Sequence, residues 1–241
     1  TYPAQTGTWV STGGTAGDSN TSNSSNSLVP FFGRKAVRSV VVAALKSAID
    51  SSTAIREDQN QFNIIACPGY PELIPNMTVL NSDRNKTAFI IGDTPLDLAP
   101  NTVGITNWVN NTDGNGLPGD ASASPYLALY YPAGRTNDLA GNTVVVPASH
   151  AVLRTFLYND NVSYQWFAPA GVRRGGVTNA SSVGYVDPTT GEFHTVALNT
   201  GQRDTLAAVH VNPITYIAGT GLVAYGQKTR QLIASSLDRI N

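Results

Sequence analysis

Thr87-Ala88-Phe89-Ile90-Ile91-Gly92-Asp93-Thr94-Pro95, residues 87–95, decides the fold class. Its apolar run does not alternate with polar residues, so a strand built from it is covered on both faces. Thr94-Pro95 stops it, because proline donates no backbone hydrogen bond and biases the residue before it. The same design recurs in Asn63-Ile64-Ile65-Ala66-Cys67, ended by Pro68-Gly69, and in Tyr126-Leu127-Ala128-Leu129-Tyr130-Tyr131. Strands buried on both faces, separated by helical stretches, imply a mostly parallel sheet flanked by helices, an α/β fold.

Working outward, residues 34–50 place Val37, Val40, Val41, Ala44, Leu45 and Ala48 on one helical face. Residues 71–84 read as helical with Pro75 interrupting, and 101–110 as a short helix. Thr143 to Val146 leads to Pro147, which opens a helix to about Tyr158. The segments 182–186 and 192–196 flank Asp187-Pro188-Thr189-Thr190-Gly191, a hairpin signal. A short helix over 202–210 and a strand over 222–225 close the pattern. Residues 11–27 are almost devoid of apolar groups, so 1–30 is expected to be a flexible loop or linker and 31–241 the folded domain.

The chain has 241 residues, 13% of them charged, and a formal net charge of -1. That balance gives no electrostatic case for nucleic acid or an anionic membrane. No apolar run reaches the roughly 18 residues of a membrane span. So little charge fits either a surface covered by partners or one rich in Ser, Thr and Asn. Cys67 is the sole cysteine, which excludes an intrachain disulfide and suggests a buried thiol. The chain opens Thr-Tyr-Pro-Ala with neither an initiator Met nor a signal-peptide layout, and it ends just after Ser235-Ser236, a helix-start signal. It is expected to be a piece of a longer protein.

No G-x-S-x-G elbow, zinc spacing or Walker lysine motif is present, so no catalytic, metal or cofactor site is expected. Asp93, at a strand end, is a candidate acid, outweighed by a plain loop role before Pro95. His150, His194 and His210 share no metal-like spacing. In Gly171-Val172-Arg173-Arg174-Gly175-Gly176 the arginines suit carboxylates, within the fold or on a neighbour. Arg173, Arg174, Lys228 and Arg230 are therefore candidate inter-subunit contacts, with intradomain pairs or solvated charges as the competing role. Two other functions remain open: a hydrolase with a non-standard site, and a glycan-binding adhesin using loops such as Trp108-Val109-Asn110-Asn111.

Trp166-Phe167-Ala168-Pro169-Ala170-Gly171-Val172-Arg173-Arg174-Gly175 resembles the W-x-[AS]-P-A-G-x-x-R-G signature of contractile phage tail sheath proteins. Gln202-Arg203-Asp204-Thr205-Leu206 is similar to the family's Q-R-D-x-L, and Val211-Asn212-Pro213-Ile214 to its I-N-P-[IV]. Val223 to Thr229 is similar to V-x-[WY]-G-x-K-T, and Leu237-Asp238-Arg239-Ile240-Asn241 to [FL]-D-R-[IV]-N. These motifs cover 166–241; upstream the likeness is looser. Two departures stand out. Ser149 to Thr155 replaces a small-residue A-G-x-x-A-R-T-D run, and the hairpin at 182–196 looks like an insertion.

The resemblance implies a subtilisin-like sheath core domain without an active triad, carrying an added β-hairpin and lacking the C-terminal tube-contacting domain. It implies a structural virion protein, not an enzyme, with no cofactor, no nucleic acid and no membrane insertion. Its partners would be other sheath subunits, in six-fold rings of a helical array. Tail tube and baseplate would be reached through regions outside this chain, leaving the fragment monomeric. Such a subunit belongs to the virion tail, is assembled in the host cytoplasm, and works by contraction during genome ejection. The long, insert-bearing form suggests a giant phiKZ-like phage.

Overall fold

A computed structural model describes residues 34–231 apart from 113, 115, 118–123 and 165, with backbone alone for 34–37. The expected flexible loop of 1–30 and the final Leu237–Asn241 motif lie outside the described residues. The chain divides into two compact units, Thr1–Ser52 with Asp187–Glu192, and Thr53–Val186 with Phe193–Asn241.

In the first unit, helix α1 (Arg34–Ser51) forms where its period places it. The expected apolar stripe is not buried: Val40, Ala44 and Ala48 are exposed, and Val41 and Leu45 are half-buried. None of its described side chains is buried.

The second unit is built on the strands singled out above. β1 (Ile64–Ala66), β2 (Phe89–Asp93), β3 (Leu127–Tyr131) and β8 (Val211–Ile217) lie parallel in that order, and β9 (Gly221–Ala224) adds antiparallel to β8. Two layers of helix enclose this sheet. On one face, Ile91, Ala128 and Tyr130 share a core with Ala148, Ala151 and Val152 of α4 (Ala148–Val162). Phe156 of α4 stacks on Phe89 at 5.9 Å and meets Tyr130 edge-on at 6.2 Å. On the other face lies α2 (Ile74–Asp83). Gly92 makes room there: a Cβ on it would sit 2.8 Å from Leu129 Cδ2 and 3.3 Å from Ile74 Cδ1. Ile105 and Val109 of α3 (Thr102–Asn110) and Leu206 of α6 (Thr200–Ala208) are also buried; α3 packs on α6, and α6 on β8. Each such aliphatic side chain contributes about 1.5–3 kcal/mol of burial.

A second sheet was not anticipated. β4 (Ala133–Asn137), β5 (Thr143–Val146), β6 (Ser182–Val186) and β7 (Phe193–Thr195) form an antiparallel sheet in the order β5-β4-β6-β7. β4 follows β3 after the single residue Pro132, so one stretch of chain serves both sheets. Helix α4 packs on β2 and β3 and also on β4, where Gly134 lies close to Ala151. The expected mostly parallel architecture thus holds for the first sheet, and an all-antiparallel sheet stands beside it.

Four local expectations are corrected. Pro75 does not interrupt a helix; it stands in the first turn of α2, where its missing N–H costs nothing. The helix expected to end near Tyr158 runs on to Val162. The helix expected over 202–210 spans Thr200–Ala208, its start fixed by Asn199 and Gln202, whose side chains bond each other's backbone N–H groups. His210 lies past its end, with φ 58°. Cys67 is only half-buried, and burial, aided by the charges of Asp93 and Glu72, pushes its thiol upward.

Asp93 has a structural role. Its carboxylate accepts from Ser149 N at 2.6 Å, Ser149 Oγ at 2.7 Å and Gly69 N at 2.8 Å. The C-terminal end of β2 therefore caps the first turn of α4, which has no side-chain cap of its own at Pro147. Burial raises its carboxyl above the ordinary range, against the lowering effect of these hydrogen bonds. The folded state then binds the proton more tightly than the unfolded chain, so stability from this group is complete below the ordinary carboxylate range and is lost as pH rises from there through the raised folded value. Chemical denaturation of the wild type and Asp93→Asn should show the asparagine variant's deficit to be larger at about pH 4 than at about pH 7. A deficit that grows with pH would reverse the sign assigned here.

Candidate functional site

The Arg173–Arg174 turn is held by two glycines with different tasks. Helical turn α5 (Gly171–Arg174) begins at Gly171, whose φ of 77° lies in the left-handed region. Gly175 follows, and a Cβ there would stand 2.3 Å from the Ala224 carbonyl oxygen. That closeness comes from pairing: Ala224 N donates to Gly175 O at 2.7 Å, Val177 N donates to Leu222 O at 2.8 Å, and Gly176 bridges to Val223. The turn is thus stapled to β9. Both arginines are exposed, and the Arg174 guanidinium lies 3.9 Å from the centroid of Phe167.

Helix α4 supplies the opposite wall. Its inner face carries Thr155 and Asn159, both buried. Thr155 Oγ1 donates to Gly176 O at 2.9 Å, and Asn159 Nδ2 donates to Phe167 O at 2.8 Å. These two bonds hold the arginine turn and the aromatic loop at fixed distances from the helix. Between them lies a groove of about 550 Å³, lined by Arg154, Tyr158, Val162, Arg173 and Arg174 among others, with no carboxylate in its lining. Beside it Tyr164 stacks on Trp166 at 4.6 Å, and Phe167 meets both rings edge-on. Trp166 and Phe167 open the motif quoted from the sequence, whereas Arg154 and Tyr164 were not singled out there.

Lys228 and Arg230 sit elsewhere and are engaged inside the fold. Asn212 of β8 is buried; its Nδ2 donates to Leu129 O at 3.1 Å and Lys228 O at 2.7 Å, and its Oδ1 accepts from Lys228 N at 2.7 Å. The segment so fixed sends Lys228 Nζ to Ala207 O at 2.8 Å and the Arg230 guanidinium to Val209 O. Both cations therefore satisfy carbonyls at the end of α6, where the helix dipole favours them. Arg230 is 2% exposed, and burial lowers its affinity for a proton. It is enclosed within the chain, not presented to a neighbour.

Among the described residues the groups that the competing chemistries would need do not converge. Ser149 bonds Asp93 directly and is fully buried, His150 is exposed, His194 stacks on Tyr185, and His210 Nδ1 lies 2.9 Å from Thr229 O. No cluster of His, Cys, Asp and Glu suited to a metal ion occurs among the described residues. Trp108 to Asn111 closes α3, with Asn111 as a left-handed C-cap at φ 53° and Trp108 half-buried.

No protein-family profile matches the chain. Over 96 residues it is 34% identical to the tail sheath protein of Vibrio phage KVP40 and 33% identical to that of Enterobacteria phage T4. Each match spans 40% of this chain and 13% of the relative. The fold is similar to the helical sheath of the anti-feeding prophage in its contracted state, with TM-score 0.50 and 21% identity over 82% of this chain and 46% of that one. It is also similar to the sheath complex of an extracellular contractile injection system in its contracted state, with TM-score 0.51 and 17% identity over 80% of this chain and 45% of that one.

Replacing Gly175 by Ala should cost about 1–3 kcal/mol, because the carbonyl it would strike is backbone and cannot turn aside. A thermal melt should show a loss of several degrees; an unchanged midpoint would mean that the turn is not held against β9. The motif resemblance and the sequence relatives agree: over the matched 96 residues the chain is similar to contractile tail sheath proteins.

Proposed function

We propose that this chain is the core region of a sheath subunit that polymerises around a tail tube and contracts to drive it through the host envelope. The observation that carries this is the 96-residue likeness to two phage tail sheath proteins, supported by a fold like that of contracted sheaths. Residues 31–241 act as the core domain, with contact to tube and baseplate made by regions outside this chain. The topology is subtilisin-like, with β6 and β7 as an added hairpin, and the role is structural and not enzymatic. Subunits form six-fold rings stacked as a helical array, a heterologous arrangement that propagates along its axis. They assemble in the host cytoplasm and end in the virion tail.

Contraction in such an array exchanges one set of interfaces for another while each subunit moves nearly as a rigid body. The energy is stored at assembly, so no nucleotide is required. A drop of a few kcal/mol per subunit, the gap typical of two competing packings, multiplies over the copies. The double-covered sheet supplies the stiffness this needs. Taken alone, the chain is monomeric at low micromolar concentration, because the linkages between subunits lie largely elsewhere.

Electron microscopy of the full-length protein tests this. Tubular assemblies in a long and a short form are the expected outcome, and a full-length protein that never forms tubes, with or without a tail tube as template, would overturn it.

A further inference from the structure

The groove between α4 and the arginine turn is unlike the rest of this charge-poor surface. Arg154, Arg173 and Arg174 line it together, no Asp or Glu does, and none of the three makes an ion pair among the described residues. Like charges gathered without counter-charges gain when carboxylates arrive, and guanidinium groups receive carboxylates in a two-pronged geometry. The surroundings are apolar as well. Leu157, Tyr158, Val162, Tyr164 and Val172 are exposed, and Trp166 is 69% exposed. An exposed apolar patch of this kind marks an interaction site, and Trp, Tyr and Arg are the residues that dominate protein interfaces.

The charge balance of the chain says what fits. Acids slightly outnumber cations, 16 to 15, while the groove collects three arginines and no acid. The complementary charge therefore lies on other faces of the same chain. Glu57 and Asp58 stand side by side and exposed, after the 3-10 turn Ala54–Arg56, and neither forms a salt bridge among the described residues. A groove on one face and an acidic pair on another make a head-to-tail contact, which repeats without closing on itself.

We infer that this groove is the docking site for a second copy of the chain, whose Glu57 and Asp58 carboxylates enter among Arg154, Arg173 and Arg174 while the Tyr164–Trp166 stack covers the rim. The proposal depends on the sheath reading for the array it would build; the contact itself rests on the groove.

Sedimentation velocity of the chain from about 10 μM to 1 mM tests it, a range suited to a weak single contact. The wild type should self-associate at low salt and dissociate as salt is raised. The variant Arg154→Glu/Arg173→Glu/Arg174→Glu, the variant Glu57→Lys/Asp58→Lys and, independently, Trp166→Ala should each weaken association at least about tenfold. All these positions are exposed, and circular dichroism checks that each variant is folded. Mixing the first two variants should restore association, through the native contact at one junction and the charge-swapped contact at the next. A wild type that stays monomeric throughout, or a mixture that stays monomeric while the wild type associates, overturns the proposal. So does heparin binding at the groove by a chain that remains monomeric. Full-length protein separates the two ideas: if it forms tubes and its groove variant forms them equally well, the docking site is wrong and the sheath reading stands.

Discussion

One buried amide organises the closing half of this fold. Asn212 sits where β8 changes partner: residues 211–213 pair with β3, and residues 214–217 pair with β9. At such a crossover, backbone groups that would continue a ladder lose their partners, and leaving them unsatisfied in the interior is costly. Asn212 supplies donors and an acceptor at that point, to Leu129 on one side and Lys228 on the other. Gly226 has to pass so close that a Cβ would stand 2.6 Å from the Asn212 amide oxygen. Lys228 and Arg230 reach the end of α6 because this segment is fixed. Two motifs that are separate in sequence, Val211–Ile214 and Val223–Thr229, are thus one structural device.

Much of this was legible from residue order. The runs at 64–66, 89–93 and 127–131 are apolar on both faces, and all three became parallel strands. β8 was hidden because Pro213 stands inside it, and proline is normally evidence against an interior strand. β4 was hidden because Ala133-Gly134-Arg135-Thr136-Asn137 has neither alternation nor β-branched weight; it pairs because β5 and β6 flank it. Helix α1 shows the opposite failure: a strong period whose described stripe is at most half-buried.

The candidate site divides along the same line. Arg173 and Arg174 were visible through the glycines around them, since local backbone demands leave marks in sequence. Arg154 was invisible because its meeting with them depends on how α4 lies against the turn, a tertiary relation with no local signature. Lys228 and Arg230 read alike in sequence, yet Arg230 is buried while Lys228 stays exposed with its ammonium on the Ala207 carbonyl, a difference that follows from the segment Asn212 anchors. Long-range hydrogen bonds, not charge itself, separate an internal cation from an external one.

The strand order also bears on how the protein is made. β3 and β8 are neighbours, yet Leu129 and Asn212 lie 83 residues apart. While the ribosome is still adding that stretch, one edge of β3 has no partner. At ordinary rates of synthesis the wait is on the order of ten seconds. An open, apolar strand edge is an invitation to wrong pairing. In that interval the emerging chain can already form the β4–β6 sheet and α4, which shelter one face of β3 but not its edge. A nascent chain on a crowded polysome therefore spends those seconds exposed to copies of itself in the wrong register, and helper proteins that shield strand edges would act in that interval.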